Sequence, residues 1–350
     1  MATPNSITIA DKDWSSSDIQ TAIISTILED GYGYSVNLIT VSDQFPLQAN
    51  INIDIDPEYW INWNTESDEV LYLGDGLDAA EGFYIDKYTA DLYDIDSIDD
   101  MFDPAIYQLF IEDGNPTFHI PPENWGYTYD VSKKLFYSMG LDDSYSLTSF
   151  YSNFLTDHLD SNSPLFTYYW QPSDRSDEMV RIDPGSDNNQ WGVLNSVSVD
   201  DPINDLRNLG VEGWPYSLVT VAVNKDFSEQ HSEITTFLEN YDISSATLSE
   251  LVEYSRTHTW EETAQYYLTT NNEWQAWVTN DTANNLVTEY GIIGTDNDDI
   301  LVGTSGVDTI NGGAGDDIID GGDGDDIIDG GDGDDTIEGG AGNDIINSGA

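Results

Sequence analysis

Asp299, Asp308, Asp317, Asp326, Asp335 and Asp344 recur at intervals of nine residues. They hold the sixth place in six consecutive nonapeptides, Gly294 to Asn347, which read GTDNDDILV, GTSGVDTIN, GGAGDDIID, GGDGDDIID, GGDGDDTIE and GGAGNDIIN. The eighth place is always Leu or Ile: Leu301, Ile310, Ile319, Ile328, Ile337 and Ile346. Carboxylates are hard oxygen donors of the kind Ca²⁺ selects. The glycine-rich half of each repeat turns tightly and lets backbone carbonyls converge. The short aliphatic half reads as a strand whose eighth residue points inward. One repeat buries almost nothing, so the repeats must stack to make a core. Without the cation, the clustered carboxylates repel one another and the segment is expected to be disordered.

This pattern resembles the calcium-binding nonapeptide of RTX proteins, which implies a parallel β-roll over residues 291–350 with several Ca²⁺ ions at those six aspartates. The first two repeats lack the second glycine, as a cap to the stack would. Weak calcium sites suit millimolar calcium, so the expected location is extracellular or at the cell surface, with the periplasm as the alternative. RTX proteins usually carry further residues after the repeats as a type I secretion signal; this sequence stops at Ala350.

The repeats explain only part of the charge. Of 67 acidic residues, 51 precede residue 291, against all nine basic ones, and the net charge is −58. That balance leaves no basic surface for nucleic acid or anionic membrane. It suits high salt, which screens self-repulsion. There is no cysteine, which excludes disulfides, thiolate metal sites and cysteine nucleophiles. No apolar run reaches the length of a membrane span. Residues 1–10, MATPNSITIA, lack the basic start and long apolar stretch of a secretory signal, so either a signal was removed or export uses the repeats.

The elements that would carry a site lie before residue 290. Strands are expected at Ile7–Ala10, Ser35–Val41 (SVNLITV) and Leu218–Val223 (LVTVAV). A helix is expected at Thr21–Leu28, capped by Ser16, Ser17 and Asp18 and stopped at Gly31–Gly33. Others are expected at Val131–Tyr137, Ile234–Leu238, Leu248–Tyr254, Ala264–Leu268 and Trp274–Val278. This alternation predicts an α/β fold.

The order of motifs over residues 6–285 resembles the substrate-binding proteins of ABC importers for glycine betaine, choline and related quaternary amines. ADKDW and ILEDGYGYSVNLIT come first, then INW at 61–63 and GFYIDKYTADLYDIDSIDDMFDPAIYQLF at 82–110. ENWGYTYDVSKKLFYSMGL (123–141), PLFTYYWQP (164–172), GWPYSLVTVAVNKDF (213–227) and EWQAWV (273–278) follow in order. The resemblance implies a two-lobed periplasmic-binding-protein-like (type II) domain that closes on its ligand. Lobe one is placed at 6–84 plus 218–290 and lobe two at 85–217, with crossings near Ile85 and Leu218.

A quaternary ammonium cannot donate a hydrogen bond, so it is held by aromatic faces, each ring contributing on the order of 0.5–2 kcal/mol. The positions matching the family are Trp63, Trp125 and Trp170, with Trp60 and Tyr169 as additional walls. The resemblance points to backbone N–H groups of Gly126 and Tyr127, at a turn opening a helix, for the ligand carboxylate. The family often has Cys where Tyr127 stands, and His where Ser67 stands. These departures leave the ligand open among glycine betaine, other betaines, choline and a sulfonium such as dimethylsulfoniopropionate. The family also implies an ABC permease as partner.

No HExxH, GxSxG or GxxxxGK[ST] motif is present, and His119, His158, His231 and His258 are scattered. The expected function is therefore non-enzymatic binding for uptake, with a calcium-folded tail for export or surface placement. Two alternatives stand beside it: a calcium-dependent extracellular surface or matrix protein without a small ligand, and a secreted RTX hydrolase. Removal of 291–350 is expected to leave ligand affinity unchanged.

Overall fold

The computed structural model describes residues 6–12, 14–41, 52–60, 68–123, 127–150, 154–171, 175, 178–182, 198–199, 206, 217–271, 273–295 and 297–349; at 75, 76, 78–80, 127, 156, 217 and 218 it describes the backbone alone. Contacts divide the chain into two compact units, Met1–Leu77 with Leu218–Ala350, and Asp78–Ser217. The repeats fall within the first unit.

The chain starts with β1 (Ser6–Lys12), α1 (Ser15–Thr26) and β2 (Ser35–Val41), and β1 and β2 pair in parallel with Ile7 opposite Val36. One π turn, Ile27–Gly31, extends α1. The serines expected as caps lie inside the helix instead, and Trp14 stands at the N-cap without a side-chain bond to the helix backbone. Ser16 donates its hydroxyl to a buried acid, Glu58, with Oε2 at 2.8 Å. Glu58 sits on β3 (Ile55–Trp60), all six residues of which are buried. The long strand β4 (Val70–Asp86) then leads from the first unit into the second.

In the second unit, Asp86 caps α2 (Lys87–Tyr93), accepting from the Thr89 N–H at 2.7 Å. Then come α3 (Pro104–Tyr107), the hairpin of β5 (Ile111–Glu112) and β6 (Asn115–Ile120), and α4 (Tyr127–Ser138). β7 (Ser146–Ser149) and β8 (Phe166–Gln171) both pair with β6 in parallel, with α5 (Phe154–Leu159) between them in the chain. β8 and β9 (Met179–Arg181) run antiparallel to the second half of β4. The core here is aromatic: Phe118 lies 4.5 Å from Phe166 and 4.6 Å from Phe83, ring centre to ring centre.

The chain returns to the first unit through β10 (Ser217–Asn224), antiparallel to β3. Helices α6 (Lys225–Gln230), α7 (Ser232–Asn240), α8 (Ser245–Ser255), α9 (Trp260–Thr270) and α10 (Asn280–Tyr290) follow. Thr259 and Glu262 form a reciprocal capping box on α9. The helix expected over Trp274–Val278 is a single 3₁₀ turn, Glu273–Ala276. Trp274 is buried there and donates its indole N–H to the Leu268 carbonyl at 2.9 Å.

Seven short strands complete the chain: β11 (Ile292–Ile293), β12 (Ile300–Val302), β13 (Thr309–Asn311), β14 (Ile318–Asp320), β15 (Ile327–Asp329), β16 (Thr336–Glu338) and β17 (Ile345–Asn347). They alternate between two parallel sheets, β11-β13-β15-β17 and β12-β14-β16. Ile310 therefore pairs with Ile328, two repeats later. This is a parallel β-roll, and glycine permits its tight coils. At Gly324 φ is +146°, and a Cβ there would sit 1.8 Å from the Gly306 carbonyl oxygen. Leu301, Ile310, Ile319 and Ile328 are buried inside it, Ile337 is partly so, and Ile346 in the last coil is exposed. The buried row belongs to the same apolar cluster as Ile292, Ile23, Trp274, Trp277 and Leu286. Lobe and roll thus share one hydrophobic core.

Candidate ligand and calcium sites

Among the expected cage and wall residues, the structure describes Trp170, Tyr169 and Trp60. Trp63, Ser67, Trp125 and Gly126 lie outside the described residues. α4 begins at Tyr127, whose side chain is likewise not described.

Trp170 is half-buried near the end of β8, in register with Glu81 of β4. Strand alternation puts Tyr168 on the same face and Tyr169 on the other. Tyr169 packs in a separate buried cluster, 5.4 Å from Tyr84, and its ring centre lies 5.6 Å from that of Trp170. Tyr168 donates its hydroxyl to the Glu81 carboxylate, and both are buried. Burial, then the Glu81 charge, hold this phenol well above its usual range, so it remains a donor. Arg181 Nε donates to the Glu81 carbonyl at 3.1 Å. One face of the β4–β8 pair thus presents an indole beside a buried acid.

Trp60 is buried in the first unit and donates its indole N–H to Glu58 Oε1 at 3.2 Å. The Trp14 indole reaches the same oxygen at 2.8 Å, and Gln20 Nε2 reaches Oε2 at 3.2 Å. Lys12 Nζ binds Asp56 Oδ1 at 2.8 Å and the Glu58 carbonyl at 2.6 Å. Burial raises the Glu58 carboxyl, while Lys12, Ser16 and the two indoles pull it back. Every named partner of that carboxylate can donate, which is the surrounding an ionised acid needs. The cluster fixes the orientation of both indoles.

In the roll, the last four sixth-place carboxylates reach across one coil. The N–H groups of Asp299, Asp308, Asp317 and Asp326 donate to Oδ1 of Asp317, Asp326, Asp335 and Asp344 at 2.9, 2.9, 3.0 and 3.2 Å. Oδ2 of Asp317, Asp326 and Asp335 is buried with no hydrogen-bond partner. An orphaned buried carboxylate oxygen is costly, and a hard cation removes the cost. These residues therefore fit calcium. The first two repeats differ. Oδ2 of Asp299 accepts the Thr295 N–H at 2.6 Å and its hydroxyl at 3.0 Å, and Asp308 accepts the same two donors from Thr304 at 2.6 and 2.8 Å. Threonine at the second place satisfies the acid internally. The missing glycine was visible in the sequence; the substitute donor was not.

Two of the scattered histidines come together in the second unit, where the Nε2 atoms of His119 and His158 both approach Glu112 Oε1. Burial pushes the His158 imidazole down, against the pull of Glu112. Spacings of seven and 46 residues gave no signal for this cluster.

Residues 5–270 match the family described as the substrate binding domain of ABC-type glycine betaine transport system. Residues 293–328 and 320–350 match the RTX calcium-binding nonapeptide repeat. The chain is 27% identical over 238 residues to the glycine betaine/proline betaine-binding periplasmic protein of Escherichia coli K12, covering 61% of this chain and 68% of that protein. Among solved structures it resembles an ABC-transporter choline-binding protein in complex with choline (TM-score 0.57, 18% identity, 82% of this chain and 98% of the other). It also resembles lactococcal OpuAC in its closed, liganded conformation with glycine betaine (TM-score 0.56, 15% identity, 79% and 100%). The chain belongs to the family of substrate-binding domains of ABC-type glycine betaine transport systems, and it carries RTX calcium-binding repeats at its C-terminal end. The two-lobed binding-protein fold follows from these neighbours. Among the described residues no helix is long and apolar enough to cross a membrane.

Proposed function

We propose that the chain binds a quaternary ammonium or sulfonium osmolyte, of the glycine betaine or choline kind, without chemical change and hands it to an ABC permease. The family match over residues 5–270 carries this reading. Trp63, Trp125 and Trp170 form the aromatic cage, with Trp60 beside Trp63 in sequence. The half-buried Trp170 supports it, because the buried Glu81 in register with it adds negative potential to an aromatic face, and both features attract a cation that cannot hydrogen-bond. The backbone N–H groups of Gly126 and Tyr127, with the Ser67 hydroxyl, hold the anionic end of a betaine at the start of α4. Calcium ions sit at the sixth-place aspartates, and the RTX match supports a location outside the cell membrane, at the surface or in the periplasm.

Isothermal titration calorimetry with glycine betaine, choline and dimethylsulfoniopropionate, in calcium and in EDTA, tests this. Saturable heat with one of them names the ligand class. No heat with any of them on folded protein overturns the reading and leaves a calcium-organised surface protein.

A further inference from the structure

Glu112, His119 and His158 form a compact N₂O donor set that the proposed function does not use. Glu112 lies on β5, His119 on β6 and His158 on α5. His119 Nε2 is 2.7 Å and His158 Nε2 2.9 Å from the same carboxylate oxygen, Glu112 Oε1. One donor atom from each residue falls within 4.8 Å of the other two. The histidine side chains are 1% and 10% exposed and that of Glu112 is 35% exposed, so the group is closed on the imidazole side and open on the carboxylate side. His119 stacks on Phe154, with ring centres 5.6 Å apart, and the two imidazoles meet edge to face at 5.6 Å.

The tautomers point to a cation. His158 Nδ1 lies 3.3 Å from the Phe154 carbonyl one helical turn back, where it can only donate. A neutral imidazole with its proton there presents a lone pair from Nε2. That lone pair faces a carboxylate oxygen 2.9 Å away, an arrangement that repels unless a second ring proton or a metal cation lies between them. His119 brings a second imidazole nitrogen to the same point. We propose that Glu112, His119 and His158 form a site for one borderline divalent cation of the Zn²⁺, Co²⁺ or Ni²⁺ class, bound by the two Nε2 atoms and the Glu112 carboxylate. Two imidazoles and one carboxylate suit such metals, whereas Ca²⁺ and Mg²⁺ prefer oxygen alone. The chain thus separates two cation classes by donor chemistry: all-oxygen sites in the roll and a nitrogen-rich one here. A fourth position on the exposed Glu112 side is left to water. The bound metal pins the β5–β6 hairpin to α5, joining residues 46 apart in sequence.

The test uses the full chain saturated with calcium, so that the roll and acidic surface are already occupied. Co²⁺ is then titrated and its visible d–d absorption recorded. One equivalent giving the intense bands of four-coordinate Co²⁺, displaced by one equivalent of Zn²⁺, is expected. Zn²⁺ should also raise the melting temperature. His158→Ala should abolish the bands. Glu112→Gln, at a partly exposed position that tolerates the change, should weaken Zn²⁺ binding at least tenfold with an unchanged circular dichroism spectrum. Absence of four-coordinate bands in the wild type overturns the site, as do bands that persist equally in both variants. Either result leaves a hydrogen-bonded His–Glu–His group in which protons, not a metal, bridge the imidazoles to Glu112.

Discussion

The backbone N–H of Asp308 donates to Oδ1 of Asp326 at 2.9 Å, while Asp326 Oδ2 is buried without a partner. One oxygen locks the coil two repeats away and the other is free for a cation. Asp326→Ala removes both functions. The calcium concentration at half-folding of the roll should rise roughly tenfold or more, as expected for about 1–3 kcal/mol. Asp299→Ala, whose Oδ2 is already satisfied by Thr295, should shift that midpoint far less. Calcium titrations followed by circular dichroism compare the two. Equal shifts would contradict a distinction between the first repeats and the inner ones.

Protons and calcium should act on the roll with opposite signs. Burial pushes the carboxyls of Asp308, Asp317 and Asp326 up, and neighbouring aspartates add to the rise. A raised folded value means stability that is complete below the ordinary aspartate range and is lost as pH rises through the shifted value. In EDTA, acidification from neutral pH should therefore stabilise the roll. In calcium it should weaken it, because protons compete for the same oxygens. Amide exchange of residues 300–347, corrected for intrinsic rate, reads both arms. Protection that falls on acidification in EDTA would rule out the raised carboxyls.

Ile292, Leu301, Ile310, Ile319 and Ile328 share a core with Trp274, Trp277 and Leu286. Deleting residues 291–350 should thus destabilise what remains by on the order of 2–4 kcal/mol, several degrees in Tm. Ligand affinity at low temperature should stay as it was, since the proposed cage residues all precede the deletion. Differential scanning calorimetry and a betaine titration on the truncated chain separate the two effects. An unchanged Tm would mean that the shared core contributes nothing.

Trp170→Ala should weaken quaternary-amine binding by about 0.5–2 kcal/mol, up to roughly thirtyfold, with little change in Tm because the ring is half-exposed. Trp274→Ala should do the reverse, costing about 3–5 kcal/mol of stability from a buried site. Calorimetry on both variants decides whether Trp170 holds ligand or only packs.

Glu58→Ala strands the indole N–H groups of Trp14 and Trp60 together with Ser16 and Gln20. A loss of about 2–4 kcal/mol in urea unfolding is expected. A neutral result would show that relief of burying the acid offsets the lost bonds.

The local signals were strong wherever a period or cap repeats. The nine-residue period determined the roll and its inward row from Leu301 to Ile328, because each coil repeats one local geometry. The β1–α1–β2 unit was legible from its apolar spacing and glycines. Motif order was enough for the family. Long-range partners carried no such signal. Ser16 and Ser17 looked like caps, yet both lie within α1, where Ser16 donates to Glu58, distant in sequence. Trp274–Val278 looked helical, but the buried Trp274 indole is satisfied by Leu268 from a 3₁₀ turn. His119 and His158 were scattered until the pairing of β6 and the placement of α5 brought both to Glu112. The fusion of the roll's aliphatic row with the lobe's core was likewise a tertiary outcome. Periodicity is written in neighbours along the chain, whereas a shared core or a converging set of donors exists only once distant segments exclude water together.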